Sequence, residues 1–132
     1  MKYYLIGIKG SGMAALAHIL LDQGNEVRGS DIDSYIVTQD DLDKRGIVID
    51  DFNYEIDGVD IVIVGHSYIY HRQVLDAKKK GYLVIEYNDY LSIIVNNNYS
   101  FAVCGSHGKT TTVGMLKDCL DNCSYLIGDI LK

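Results

Sequence analysis

Short apolar runs rich in β-branched and aromatic residues alternate along this chain with segments whose apolar positions recur every three or four residues. Runs at 3–8, 27–30, 47–49, 60–65 and 82–85 read as strands, and the unbroken Ile61-Val62-Ile63-Val64 reads as one buried on both faces. Between them, Met13, Leu16, Ala17, Leu20 and Leu21 fall on one helical face that Gly24 closes. Helices are also predicted at 37–45, ending at Gly46, at 72–80, and as a short segment at 90–95. Asn96-Asn97-Asn98 reads as a linker, followed by a strand at 101–104, a helix at 110–120 and a last apolar run, Tyr125-Leu126-Ile127. Strand and helix alternating in this way predict an α/β fold, a Rossmann-like parallel sheet with helices on both faces.

Composition narrows the function classes without adding chemistry. A chain of 132 residues, nearly half of them apolar, suits one well-cored domain and is short for two. The net charge of −6 argues against a nucleic-acid or anionic-membrane surface, which needs a basic stripe. No apolar run approaches the roughly 20 residues that span a bilayer, and the N-terminus lacks a signal-peptide pattern. Cys104, Cys119 and Cys123 have neither disulfide-framework nor zinc spacing, so the cytoplasm is the expected location. Lys78-Lys79-Lys80 falls at a predicted helix C-terminus, where cations suit the dipole, and reads as a solvated cap. His18 reads as a surface or helix-contact residue, His66 and His71 flank a strand end, and the tyrosines fit strand preference and half-buried packing.

The chemistry lies at two strand-to-helix junctions. The later one is Gly105-Ser106-His107-Gly108-Lys109-Thr110-Thr111, a short Gly-x-x-Gly-Lys-Thr form of the nucleoside-triphosphate loop, with Val103 where the longer pattern has glycine. Glycines let backbone N–H groups approach phosphate oxygens, Lys109 reaches the β- and γ-phosphates, and the Thr110 hydroxyl suits Mg²⁺. The competing reading is a Gly-Ser turn into a helix that happens to carry lysine. At the earlier junction, Gly7-Ile8-Lys9-Gly10-Ser11-Gly12-Met13 resembles a dinucleotide fingerprint with Lys9 in place of its second glycine. Gly10 is then expected to give the close backbone approach and Lys9 to add charge to a bound diphosphate. Asp31, about 20 residues on, sits where an acid can accept from ribose hydroxyls. A ligand-free tight turn is the alternative here.

Taken together, residues 7–13, Gly29-Ser30-Asp31, Gly65-His66-Ser67 and 102–112 resemble, in order and over essentially the whole chain, the N-terminal part of the Mur ligases of peptidoglycan synthesis. His107 resembles the members that add L-alanine to UDP-N-acetylmuramate and the related murein-peptide recycling members. Departures are Lys9 and Cys104, where a glycine and a threonine are common.

The resemblance implies a UDP-sugar-binding Rossmann-like domain over 1–97 and the start of the ATP-binding domain over 98–132, truncated here. It implies UDP-sugar contacts at Gly10, Ser11, Gly12, Met13, Asp31 and Ser67, and ATP contacts at Gly105, Ser106, His107, Gly108, Lys109, Thr110 and Thr111. Lys109 and Thr110 carry the catalytic role, with Mg²⁺ brought by ATP and held at Thr110. It also implies ATP-dependent phosphorylation of the muramate carboxylate and attack by the L-alanine amine, without a covalent enzyme nucleophile. An isolated chain of this length is expected to bind UDP-sugar but not to ligate, and the segment after Asn98 is expected to pack on the first domain, pair with another copy or stay mobile. Three alternatives remain: a non-catalytic UDP-sugar module, a fragment of a murein-peptide recycling ligase, and a nicotinamide-dinucleotide domain, which leaves 105–111 unexplained.

Overall fold

The computed structural model describes residues 1–127; residues 128–132, the end of the expected ATP-binding segment, lie outside the described residues. Five parallel strands, β1 (Lys2–Ile6), β2 (Glu26–Ser30), β3 (Val48–Asp50), β4 (Ile61–Val64) and β5 (Leu83–Glu86), form one sheet in the order β3-β2-β1-β4-β5. The helices are α1 (Ser11–Asp22), α2 (Thr38–Lys44), α3 (Arg72–Lys79), α4 (Tyr87–Asn96) and α5 (Lys109–Cys119). A short 3-10 turn occupies His66–Tyr68. The Rossmann-like architecture read from the sequence is the one observed, with element boundaries shifted by a residue or two, except that α4 begins at Tyr87 rather than 90.

Period-two alternation sorts the central strands between two cores. Tyr3, Leu5, Ile61 and Ile63 face α1 and α2, packing with Leu16, Leu20 and Leu42, and with Tyr87, Tyr90 and Ile94 of α4. Tyr4, Ile6, Val62 and Val64 face the opposite way, onto Val74 and Ala77 of α3 and Ile56 of the β3–β4 connection. Burying each such aliphatic side chain is worth about 1.5–3 kcal/mol over leaving it exposed. β1 and β4 are covered on both sides, which is why their sequences carry no polar positions between Tyr3 and Ile6 or between Ile61 and Val64.

The polar face of β2 is tied in as well. Arg28 forms a bidentate pair with Asp50 and lies 4.1 Å over the Tyr54 ring. Buried Ser30 donates to Gln73, whose amide donates to the Tyr54 carbonyl. His71 caps α3 by accepting from the Gln73 N–H at 3.3 Å, and His18 lies between α1 and Arg45, where burial pushes its pKa down. Lys80 pairs with Glu55 and donates to the Ile56 carbonyl, tying the end of α3 to the β3–β4 connection.

One predicted element is absent. Residues 101–104 are not a strand, because they form a ladder with no other segment among the described residues. Residues 125–127 likewise form no strand. The loop and helix of the second segment do form, yet α5 buries none of its residues, and no hydrogen bond or ion pair among the described residues joins 101–127 to 1–97. Threonines at 110–112 and Gly114 are also poor helix formers. We therefore expect amides of Lys109–Cys119 to exchange faster than those of α1 by at least about two orders of magnitude in a hydrogen-exchange experiment; equal protection would contradict this packing. Among the described residues, no helix is long and apolar enough to cross a membrane.

Candidate functional site

Strand order reverses between β1 and β4, and in an open parallel sheet this opens a crevice at the carboxyl ends of the two strands. Residues 7–13 leave β1 at that point, and the turn beginning at Gly65 leaves β4 beside them. Gly7 has φ +86°, and a Cβ there would lie 2.6 Å from the Tyr68 ring, so glycine is required both for the turn and for the ring above it.

Within the loop, most N–H groups are consumed in building it. Gly7 and Ile8 donate to the Ser30 carbonyl at 2.8 and 3.2 Å, Lys9 N–H donates to Asp31 Oδ2 at 2.7 Å, and Gly10 N–H donates to the Gly7 carbonyl at 3.2 Å. The N–H groups of Ser11, Gly12 and Met13 have no partner among the described residues, and α1 has no side-chain cap. Three free donors at the positive end of a 12-residue helix form an anion seat. Of the residues expected at a diphosphate, Ser11, Gly12 and Met13 offer N–H groups; Gly10 offers only an unobstructed, exposed approach.

Lys9 and Asp31 both make internal contacts that the sequence did not reveal. Lys9 is only 4% exposed, and its ammonium donates to the carbonyls of Ile32 and Ser34 at 2.8 and 3.2 Å. Its charge is spent on the loop after β2 instead of on a ligand, because that loop's carbonyls lack other donors. Asp31, equally buried, accepts from Lys9 N–H, from Ile32 N–H at 2.8 Å and from the Tyr68 hydroxyl at 3.3 Å. These three donors fill most of the roughly four acceptor positions of a carboxylate. Thr38 adds a hydrogen bond from its hydroxyl to the Lys9 carbonyl. Burial, and then the Asp31 charge, push the Tyr68 phenol pKa up, which keeps it a donor to that carboxylate. Ser67 is exposed in the turn after β4, beside this loop.

Sequence reasoning passed over Tyr68 and Tyr87. Tyr87, the first residue of α4, brings its hydroxyl to 2.6 Å from the place a Gly12 Cβ would take. A tyrosine directly after a strand run was the available signal, masked by the abundance of tyrosine elsewhere.

The second loop is more open. Gly108 has φ +74° and caps α5, a conformation that favours glycine. None of the N–H groups of residues 105–111 has a partner among the described residues. The Lys109 ammonium folds across the loop to the Gly105 carbonyl at 2.7 Å, and the Thr112 hydroxyl donates to the Gly108 carbonyl at 2.9 Å. Ser106, His107 and Thr111 are exposed and Thr110 is half-buried. Free N–H groups, an ammonium within the loop's span and a threonine at the helix start fit a triphosphate with its Mg²⁺. No cluster of three or more metal-ligating side chains occurs among the described residues.

Residues 2–99 match the model of the Mur ligase family, catalytic domain. Among solved structures, a UDP-N-acetylmuramate-alanine ligase from Thermotoga maritima superposes with TM-score 0.78 at 29% identity, over 89% of this chain and 28% of that one. A murein peptide ligase from Psychrobacter arcticus gives TM-score 0.78 and 29% identity over 89% of this chain and 25% of its own. A pseudomurein peptide ligase type C from Methanothermus fervidus gives TM-score 0.62 and 28% identity over 89% and 25%. This chain thus spans about a quarter of the length of these relatives. The family model covers the sheet, the reversed strand order and the glycine loop whose free amides lie at the crevice, and on that ground the chain belongs to the Mur ligase family.

Proposed function

We propose that residues 1–97 hold the UDP part of UDP-N-acetylmuramate, and that 98–132 carry the ATP loop of a ligase that joins L-alanine to the muramate carboxylate in peptidoglycan synthesis. The observation that carries this reading is the set of unpaired N–H groups at Ser11, Gly12 and Met13, seated where the strand order reverses. The diphosphate lies against these amides, with Gly10 leaving the approach open and Ser67 at the crevice wall. Asp31 stands behind the nucleoside side and holds the loop in shape through Lys9 N–H.

At the second loop, the free amides of residues 105–111 and the Lys109 ammonium receive the ATP phosphates, and Thr110 provides a hydroxyl to Mg²⁺. Mg²⁺ held at the Thr110 hydroxyl would supply neutralisation of phosphate charge during transfer of the γ-phosphoryl from ATP to the substrate carboxylate, with ADP as the leaving group. Lys109 exchanges its contact with the Gly105 carbonyl for phosphate oxygens, which costs little because one charge-assisted hydrogen bond replaces another. The work of these residues is positioning and charge neutralisation.

A second reading has the same support from structural similarity: a murein-peptide recycling ligase, which differs in the amine it accepts. Both readings share the UDP seat. Calorimetric titration of the purified chain is expected to show UDP binding at least about tenfold tighter than uridine, the diphosphate accounting for the difference. NADH is expected not to compete. Absence of UDP binding, or NADH binding indifferent to UDP, sinks the proposal.

A further inference from the structure

Tyr87 ends the β5-to-α4 step with its ring packed into the core beside α1 and its hydroxyl left over. Four other tyrosines of the domain have protein partners for theirs, Tyr4 with Asp50, Tyr68 with Asp31, Tyr82 with Asp57 and Tyr90 with Tyr3, while the Tyr54 and Tyr70 hydroxyls have none among the described residues. The Tyr87 hydroxyl has none among the described residues, and it lies 2.6 Å from the position a Cβ would occupy on Gly12.

That position has a definite meaning in the helix. A helical Cα–Cβ bond tilts toward the helix N-terminus, so an atom resting where the Gly12 Cβ would stand lies alongside the first turn of α1 on its amino-terminal side. Any side chain at residue 12 would displace the phenol, since its Cζ would also be only 2.9 Å away. Glycine at this position therefore serves the tyrosine as well as the ligand approach. The free N–H groups of Ser11, Gly12 and Met13 and the free Tyr87 hydroxyl are all donors, gathered at one helix end with no protein acceptor for them.

We infer that the Tyr87 hydroxyl is a further binding group for the diphosphate, donating a hydrogen bond to a phosphate oxygen seated on the first turn of α1. This rests on the assignment of that turn to UDP. It adds a residue from the far edge of the sheet, so the seat is closed from α4 as well as from the glycine loop. Burial pushes the phenol's pKa up, so that it stays neutral and able to donate through the neutral and mildly alkaline range.

The test is the ratio of UDP to uridine affinity in Tyr87→Phe, which removes only the hydroxyl. The ratio is expected to fall about tenfold while uridine affinity stays level, the usual loss for a hydrogen bond to a charged group. Tyr90→Phe, whose hydroxyl bonds to Tyr3 away from the seat, is expected to leave the ratio unchanged. A general loosening of the fold lowers both affinities together and leaves the ratio in place, so the readout separates contact from stability. An unchanged ratio in Tyr87→Phe, with the unaltered chain preferring UDP, overturns this inference and leaves the UDP seat standing. If the unaltered chain shows no preference for UDP over uridine, the seat itself is wrong and the inference falls with it.

Discussion

Asp31→Ala is expected to lower the unfolding free energy by about 2–4 kcal/mol and to weaken UDP binding by at least about tenfold, the largest single-residue effect at the site. The carboxylate is 4% exposed and receives the N–H groups of Lys9 and Ile32 and the Tyr68 hydroxyl. Truncation leaves the Lys9 N–H buried and unpaired, a penalty of about 1–3 kcal/mol for that group alone. It also frees the ring that lies over Gly7. Asp31→Asn is expected to recover little, because its amide NH₂ must face one of the N–H donors on either oxygen position. Asp33→Ala, two residues on at an exposed position, is the matched control and should change neither property. Urea unfolding followed by far-UV circular dichroism, with calorimetry for UDP, decides the matter; a stable Asp31→Ala chain with normal UDP affinity would show the latch to be ornamental.

Gly29→Ala is expected to cost about 3 kcal/mol or more, enough to unfold a marginal domain. Gly29 stands opposite Leu5 in the β1–β2 ladder, and a Cβ there would fall 2.4 Å from the Leu5 carbonyl oxygen and 2.8 Å from Ile8. The nearest of these atoms is backbone held by its own strand, so relief requires the two central strands to part. Gly46→Ala gives the contrast: nothing lies within 4 Å, and only its φ of +73° opposes the methyl group, at about 1 kcal/mol. The two urea midpoints should therefore separate clearly, and similar midpoints would mean that the strand contact yields more easily than its geometry implies.

Much of this arrangement was legible because the sheet is parallel and central. A strand buried on both faces has to be apolar at every position, and Ile61-Val62-Ile63-Val64 announces that condition without any structure. Glycines at 24 and 46, both with positive φ, mark helix ends for the same local reason. The two glycine loops were legible through short-range chemistry as well, since glycine spacing and the neighbouring helix are local properties.

What the sequence did not reveal was contacts with partners distant along the chain. Lys9 and Asp31 were read as ligand groups because local sequence places them at a loop and at a strand end. Only the fold brings Ile32 and Ser34 to the Lys9 ammonium, and Lys9 N–H to the Asp31 carboxylate. Residues 101–104 have strand-like side chains, but a strand is a relation between two segments and no described neighbour supplies the second.

By itself, the sequence determined the alternation of strands and helices, the two glycine loops and the family, since each rests on periodicity or on residues close together along the chain. Tertiary structure alone decided which loop amides remain free, which charges are used up internally and which tyrosine lies against the first turn of α1. Those are properties of hydrogen-bond partners more than 20 residues apart, and burial makes their pairing compulsory.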